Sequence, residues 1–192
     1  MKKKLSEMSL KELWLLFPII IKKHNPNYLE WYQAECDNLL ILNFSDNIER
    51  INHIGSTSVE DLAAKPIIDI LMEIAENCDI SALIKELENN NWILMNRQDA
   101  PILKLAFNKG YTQEGFAKKV FHLHVRYRGS WDELYFRDYL LENQNVREEY
   151  ESLKYLLLDE YENDRDGYTS EKAGFIDEKT ALAREEYQDK YK

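Results

Sequence analysis

Residues 67–74 constrain the fold most, because this run is apolar on both faces except at Asp69 and Glu73. Such a run is typical of a strand that is buried on both sides near the centre of a sheet. An unpaired buried carboxylate is costly, so Asp69 must meet a cation, a metal ion or several hydrogen-bond donors. Glu73 points to the same face about 13 Å away at most, too far for both acids to bind one ion. An ion pair of Asp69 with Lys65 or an arginine is the structural alternative.

The rest of the chain alternates irregularly between strand and helix patterns. Strand patterns occur at residues 48–54, 66–74, 92–96, 102–107 and 120–127. Helical patterns occur at residues 9–23, 27–43 and 81–89, along 146–157 and from 164 onward. This order predicts an α+β fold, with a mixed β-sheet flanked by helices, over a doubly wound parallel sheet. We expect a single domain over residues 1–192, with N-terminal helices at 1–45, the sheet core at 46–128 and C-terminal helices at 129–192.

Charge is distributed unevenly, and this limits the partners. A formal charge of −10 argues against binding to duplex nucleic acid, which needs clustered cations. Residues 97–128 nevertheless carry seven basic side chains against two acidic ones, whereas residues 142–192 carry fifteen acidic against eight basic. The basic segment marks where an anion would bind, and a solvated basic face is the alternative. The acidic C-terminal helices are a candidate homodimer surface. The candidate phosphate-binding cations are Lys65, Lys109, Lys118, Lys119, Arg126 and Arg128.

Sorting signals and cysteine chemistry point to the cytoplasm. No segment contains the roughly 18 apolar residues that a membrane-spanning helix needs. The basic start of the chain is not followed by an apolar run with a small-residue cleavage site. Cys36 and Cys78 are the only cysteines, and their spacing forms neither a disulfide framework nor a thiolate metal site. We therefore expect a cytoplasmic protein that does not bind a membrane.

The sequence around Gly55 predicts a phosphate-binding turn between a strand and a helix. Glycine lets a ligand approach the backbone, and amides at a helix start favour an anion. Ser56, Thr57 and Ser58 add hydroxyl groups. The alternative is purely structural, because Thr57 and Glu60 have the spacing of a capping box that begins a helix.

Residues 121–128 show the clearest alternation, with apolar or aromatic side chains at odd positions and basic or titratable ones at even positions. His122 and His124 would lie about 7 Å apart on one side of a strand. This spacing suits metal ligation or flanking a phosphate, and a solvent face at a sheet edge is the alternative. Asp69, His122 and His124 are the candidate metal ligands, with Asp69 and His124 as candidate catalytic residues. Residues 108–111 predict a turn before this strand.

Two strings in this region, HIGSTSV at 53–59 and AAKPIIDI at 63–70, resemble the signature of the GrpB family, which is placed in the nucleotidyltransferase superfamily. Further blocks resemble the family at FNKGY (107–111), VFHLH (120–124), YFRDYL (135–140) and the segment 164–172. The resemblance covers nearly the whole chain.

This resemblance implies a nucleotidyltransferase-like fold, in which a Gly-Ser turn at a strand end holds a triphosphate and the next strand carries a metal-binding acid. Ser56 and Asp69 match these two positions, and Mg²⁺ or Mn²⁺ is the implied ion. Leu71 stands where the superfamily usually has a second acid, and His122 or His124 stands in the place of a third. One carboxylate with imidazole predicts at most a one-metal site.

The sequence supports three hypotheses for the function, of which the first two involve a nucleotide or another phosphorylated small molecule. The first is a metal-dependent nucleotidyltransferase or a related nucleotide-handling enzyme. The second is a catalytically degenerate binding module for a nucleotide or a coenzyme A-related ligand, because some relatives are joined to a dephospho-coenzyme A kinase domain. The third is a single-metal hydrolase that uses Asp69, His122 and His124.

Overall fold

A computed structural model describes residues 3–161 and 164–192. Residues 1–2 of the predicted N-terminal segment and 162–163 of the predicted C-terminal segment lie outside the described residues. The helices are α1 (Leu10–Leu16), α2 (Tyr28–Leu40), α3 (Ile80–Asn89), α4 (Asp132–Glu142), α5 (Gln144–Tyr161) and α6 (Arg165–Tyr187). The strands are β1 (Ile48–Ile54), β2 (Ile68–Ile74), β3 (Ile93–Gln98), β4 (Lys104–Thr112) and β5 (Gly115–Tyr127).

These strands form one mixed sheet in the order β1-β2-β5-β4-β3. Strand β2 runs parallel to β5, and the other neighbouring pairs are antiparallel. Strand β2 is therefore an interior strand, as its apolar sequence predicts. The predicted α+β class, with a mixed sheet and helices at both ends of the chain, is confirmed.

The two faces of the sheet are covered differently. Ile70 and Met72 of β2 belong to the main core, together with Leu39 of α2 and Leu83 of α3. The neighbouring residue Leu71 points the other way and packs with residues of β1 and α4. The second face also carries the polar side chains of β2 and β5, so the candidate site lies between the sheet and the C-terminal helices.

The C-terminal helices pack on one another and on the loop after β1. Phe136 and Leu140 of α4 and Tyr150 of α5 form a core cluster with Val59 and Leu62. This cluster holds α5 against the segment that follows β1. None of the described helices is both long and apolar enough to cross a membrane.

The first helix is shorter than the predicted 9–23. It begins after Ser9, which accepts a hydrogen bond from the Glu12 amide, and it ends at Leu16. Pro18 explains the difference, because the residue before a proline is disfavoured in the helical conformation. The chain continues extended, and Lys22 forms an isolated bridge with Ala64.

The predicted turn at residues 108–111 is wrong, because this segment lies inside β4. Gly110 has φ +91° at a register shift between β4 and β5, the geometry of a bulge. A Cβ atom on Gly110 would lie 2.3 Å from the Lys119 carbonyl oxygen. The glycine therefore permits close strand pairing, and the chain reverses between Thr112 and Gly115.

A buried ion pair holds β1, β2 and the end of β5 together. The Glu73 carboxylate is fully buried and accepts hydrogen bonds from the Arg50 guanidinium, including one from Nη2 at 2.6 Å. The Gly129 amide also donates to Glu73, at 3.0 Å, and Arg50 donates to the Gly129 carbonyl at 2.7 Å. Because each charged group is satisfied by the others, removal of one leaves a buried charge.

We expect Arg50→Ala to lower the free energy of unfolding by about 3–5 kcal/mol, the usual cost of leaving one member of a buried pair uncompensated. Urea unfolding monitored by circular dichroism measures this change. Arg97→Ala is the matched control, because Arg97 pairs with Asp99 on the surface and should contribute less than about 1 kcal/mol. Equal losses in the two variants would contradict the role assigned to the buried pair.

Candidate functional site

The turn after β1 is built differently from its sequence-based prediction. Gly55 has φ +69°, and Ser56–Ser58 form one short 3-10 turn instead of the start of an α-helix. The predicted capping box with Glu60 is therefore wrong. The Ser58 hydroxyl donates to the Gly55 carbonyl at 2.6 Å, and the Thr57 hydroxyl donates to the Ile67 carbonyl at 3.2 Å. These two hydroxyls stabilise the turn.

Strand pairing brings this turn against Asp69. Ile54 and Asp69 are register partners in the β1–β2 ladder, so Gly55 lies beside the carboxylate. A Cβ atom on Gly55 would lie 2.5 Å from Asp69 Oδ2. The absence of a side chain at Gly55 thus lets the turn and the acid meet.

Two imidazoles approach the same carboxylate from β5. His122 Nδ1 is hydrogen-bonded to Asp69 Oδ1 at 3.1 Å, and His124 Nε2 lies 3.7 Å from that oxygen. Burial raises the pKa of Asp69, but the hydrogen bonds and charges of the two histidines outweigh burial and hold the pKa below its ordinary value. Imidazoles thus contact the Asp69 carboxylate, a contact that the alternative of an ion pair with Lys65 or an arginine did not include.

The predicted metal ligands are brought together, but their contacts do not fit an ion. His122 uses Nδ1 for Asp69 and Nε2 for the Tyr111 hydroxyl, at 2.8 Å, so neither ring nitrogen is left for a metal. Mg²⁺ prefers several oxygen ligands, and Asp69 is a single carboxylate with Leu71 in the neighbouring position on that face. Across residues 3–161 and 164–192, no group of three His, Cys, Asp or Glu side chains is arranged to hold a metal ion.

A basic cavity of about 140 Å³ lies beside the Gly55 turn. It is lined by Ile21, Gly55, Ser56, Thr57, Lys65, Ile67, Asp69, Tyr150, Lys154, Tyr168 and Lys172. Lys154 is only 2% exposed, and its ammonium lies 3.4 Å from the Ser56 hydroxyl and donates to the Ala63 carbonyl. Three lysines from different parts of the chain thus share one cavity with the hydroxyl of the turn.

Tyrosine rings support these lysines. The Lys65 and Lys172 ammonium groups lie 4.2 Å and 4.7 Å from the centre of the Tyr168 ring, and Lys154 lies 4.7 Å from the centre of the Tyr150 ring. Burial lowers the pKa of Lys154 to about 7. Burial also lowers the pKa of Lys172, against the opposing effect of the Asp69 charge. An anion in this cavity would favour the charged form of both amines.

The predicted cations Lys109, Lys118 and Lys119 do not line this cavity. Lys109 is hydrogen-bonded to the buried Glu35 carboxylate at 2.6 Å. Lys119 lies 5.5 Å from the centre of the Trp31 ring, and both it and Lys118 are exposed on β5. Local charge along the sequence therefore does not identify the lysines that line this cavity.

The predicted arginines also lie elsewhere. Arg126 is buried, 3.6 Å from the Glu133 carboxylate and 3.2 Å from the Leu105 carbonyl. Arg128 is exposed, and Nη1 lies 3.5 Å from the Glu49 carbonyl. The alternation in β5 correctly separates two faces, but α4 covers the face at Arg126, so that this side chain does not face a ligand.

Four cavity residues were missed by the sequence reasoning. Tyr168 and Lys172 lie in a block that resembles the family, and this was an available signal. Tyr150 and Lys154 carried no comparable signal, because the apolar stripe of α5 predicts only that Tyr150 is core. Of the predicted cations, Lys65 alone lines the cavity within the described part of the chain.

A second, larger chamber of about 600 Å³ opens on the other side of Asp69. It shares Gly55, Ser56, Asp69 and Tyr150 with the basic cavity, and His124 also lines it. Its volume lies within the usual range for small-molecule sites, roughly 300–1,000 Å³. Asp69 and the Gly55 turn thus stand at the junction of two compartments.

We expect Gly55→Ala to lower the free energy of unfolding by about 1–3 kcal/mol, because alanine is strained at this positive φ and its methyl group would meet Asp69. Gly174→Ala is the matched control, because no atom lies within 4 Å of the new methyl group in α6 and alanine favours a helix. Urea unfolding of both variants measures the effect. A Gly55→Ala variant as stable as the wild type would contradict this account of the turn.

Known proteins resemble this chain over most of its length. The family model described as GrpB protein matches residues 18–181. The glutamate-rich protein GrpB of Alkalihalophilus pseudofirmus is 34% identical over 164 residues, which cover 83% of this chain and 92% of that protein. The UPF0157 protein YqkA of Bacillus subtilis is 30% identical over 156 residues, 80% of this chain. The chain matches only 43% of the length of YqkA.

A solved structure also resembles this chain over most of its length. The crystal structure of conserved protein GrpB from Enterococcus faecalis matches with a TM-score of 0.77 and 28% identity, covering 88% of this chain and 99% of that chain. A structure of the Cid1 poly(U) polymerase matches at a TM-score of 0.48 and 12% identity, over 73% of this chain and 43% of that chain, which is too distant to support an argument. On the family model and these relatives, the chain belongs to the GrpB family.

Proposed function

We propose that this protein binds a nucleotide or another phosphorylated small molecule, with the phosphoryl oxygens in the basic cavity. The observation that carries the proposal is the buried Lys154 ammonium, which faces the cavity beside Ser56. Among the described residues, neither Lys154 nor Lys172 forms an ion pair with a carboxylate. The nearby charges of Glu151 and Asp69 favour the charged forms of Lys154 and Lys172 without a direct ion pair. A phosphoryl group would supply that direct ion pair.

Elementary electrostatics supports an anionic ligand. A buried ammonium is costly unless an opposite charge lies close to it, and the other lysines of the cavity add repulsion. A phosphoryl group offers several oxygens for charge-assisted hydrogen bonds from Lys65, Lys154 and Lys172. The Ser56 hydroxyl can donate to the same oxygens. Gly55 leaves room for a ligand to approach the backbone of the turn.

This proposal stops at binding, because the contacts of Asp69, His122 and His124 do not fit a metal ion. Metal-dependent nucleotidyl transfer, which the family resemblance implies, would require Asp69 to hold Mg²⁺ or Mn²⁺ together with the phosphoryl oxygens of the ligand. The ligand-binding titrations are therefore run both with and without Mg²⁺. If binding depends on the lysines alone, the ligand should bind without Mg²⁺. If binding depends on an ion held by Asp69, the ligand should bind only when Mg²⁺ is present.

We expect pyrophosphate and ATP to bind the wild-type protein in isothermal titration calorimetry, and Lys154→Met and Lys172→Met each to weaken binding about 10- to 100-fold. This range corresponds to the loss of one charge-assisted hydrogen bond, about 1.5–3 kcal/mol. Lys154→Met should still fold, because an apolar side chain of similar size replaces a buried charge.

Lys118→Met is the matched control for these variants. It makes the same charge change on an exposed part of β5, and it should leave binding unchanged. A Lys118→Met variant as defective as Lys172→Met would show that net charge, and not the cavity, binds the anion. Binding that requires Mg²⁺ and disappears in Asp69→Asn would instead favour metal-dependent transfer.

We expect ATP binding to take up close to one proton at pH 8.5. Unliganded Lys154 has a pKa of about 7 and is mostly neutral at that pH, whereas a bound phosphoryl group favours its charged form. Binding should consequently weaken as pH rises above 7. Titrations in two buffers of different ionisation enthalpy measure the proton count.

The Lys154→Met variant provides the control for proton uptake. The terminal phosphoryl group of the ligand ionises near pH 6 and is already deprotonated at pH 8.5, so its own contribution is small. If Lys154→Met takes up as many protons as the wild type, Lys154 is not the group that becomes charged on binding.

A further inference from the structure

The chamber beside the basic cavity has a buried polar group that the proposed phosphate binding does not use. Thr180 of α6 lines the chamber and is 5% exposed, and its hydroxyl has no hydrogen-bond partner among residues 3–161 and 164–192. A threonine in a helix commonly donates to the carbonyl four residues earlier, which here belongs to Ile176. Thr180 does not make this bond, so its hydroxyl is available to a group inside the chamber.

An acidic side chain lies next to this hydroxyl along the helix. Asp177 precedes Thr180 by three positions, so both lie on one face of α6, and both line the chamber. Among the described residues Asp177 forms no ion pair, whereas the other acids of the chamber do. Asp132 is bound by Arg184 at 2.5 Å, and Glu133 lies 3.6 Å from Arg126. Asp177 is thus an exposed carboxylate of the chamber lining that can accept a hydrogen bond from a ligand without competition from a paired cation of the described residues.

The two compartments differ in charge. The residues that line the basic cavity include three lysines and one acid, Asp69, whereas those that line the chamber include Lys104 and four acids. Of these four acids, Asp177 alone has no ion-pair partner among the described residues. A single ligand that occupies both would be anionic at one end. Its other end would be neutral or cationic and would donate hydrogen bonds, because a carboxylate accepts hydrogen bonds but cannot donate them.

Apolar walls complete the chamber. Trp131, which directly precedes α4, lines it together with Phe136 of α4, Tyr150 of α5 and Ile176 of α6. Apolar and aromatic walls with a few placed polar groups are typical of sites for ring-containing small molecules. The ring of a nucleobase or of a sugar could pack on these walls while its amine reaches the polar groups of α6.

We propose that the ligand carries an amine as well as a phosphate, and that Thr180 and Asp177 select this amine in the chamber while the lysines bind the phosphate. This inference rests on the proposed phosphate binding and adds the chemistry of the second half of the ligand. Two classes of molecule have this chemistry, nucleotides with an amino-bearing base and phosphorylated amino sugars. Thr180 and Asp177 are specificity residues and take no part in a reaction.

The test compares matched ligands that differ only at the amine. ATP is compared with purine riboside triphosphate, in which a hydrogen atom replaces the amine of the base, and glucosamine 6-phosphate is compared with glucose 6-phosphate. We expect the wild-type protein to prefer the amine-bearing member of one pair about tenfold in isothermal titration calorimetry, the effect of about one hydrogen bond. The pair that shows the preference identifies the class of ligand.

Variants then test the residues. Thr180→Val removes the hydroxyl at nearly constant volume, and Asp177→Asn removes the carboxylate charge. Each should reduce the preference to less than about threefold while leaving pyrophosphate affinity unchanged, since the basic cavity is intact. Thr180→Ser should retain the preference. Glu178→Gln is the control for Asp177→Asn, because Glu178 is the next residue and pairs with Lys179 outside the chamber.

Measurements of stability test whether a variant loses its ligand preference only because it is less well folded. Thr180→Val should be at least as stable as the wild type, because it removes a buried hydroxyl that has no partner among the described residues.

Equal wild-type affinity for both members of both pairs would overturn the inference, as would a Thr180→Val variant that keeps the full preference. Pyrophosphate binding separates the two proposals. If pyrophosphate binds but no pair is discriminated, only this inference fails, and if pyrophosphate does not bind, the proposed function fails as well.

Discussion

The position of the Asp69 carboxylate on an interior strand is the constraint around which the rest of the site is arranged. A charged group between two strands needs compensation, and here the imidazole of His122 supplies it from β5. On the other side, β1 must be followed by a residue without a side chain, because the carboxylate fills the space next to Gly55. The charge of one residue thus explains both the histidine on one neighbouring strand and the glycine after the other.

The C-terminal helices supply the residues of the site that the sheet does not supply. The sheet supplies the turn, the acid and the imidazoles, whereas α5 and α6 supply Lys154, Lys172 and the tyrosine rings that surround them. The cations that face the cavity therefore include two from the most acidic third of the chain. A buried lysine interacts more strongly with an anion than an exposed lysine does, because water screens the charge of the exposed one.

The sequence predicted the sheet well, because alternation and apolar runs report directly on strands that are buried on one or both faces. It also brought Gly55, Ser56 and Asp69 together, through strand order and the family resemblance. It failed for Arg126, since alternation shows that a residue shares a face with His124 but not that α4 covers that face. It missed Lys154 because helical periodicity does not tell which turn of a helix will lie against a loop nearly a hundred residues away.

Helix α6 passes along both compartments, with Lys172 in the cavity and Thr180 in the chamber. These residues are eight positions apart, so their backbone positions are separated by about 12 Å along a rigid rod. The helix therefore fixes the separation between Lys172 and Thr180. It sets the distance between the two ends of any molecule that contacts both residues, and lengthening or shortening such a molecule by a few bonds would put one end out of reach.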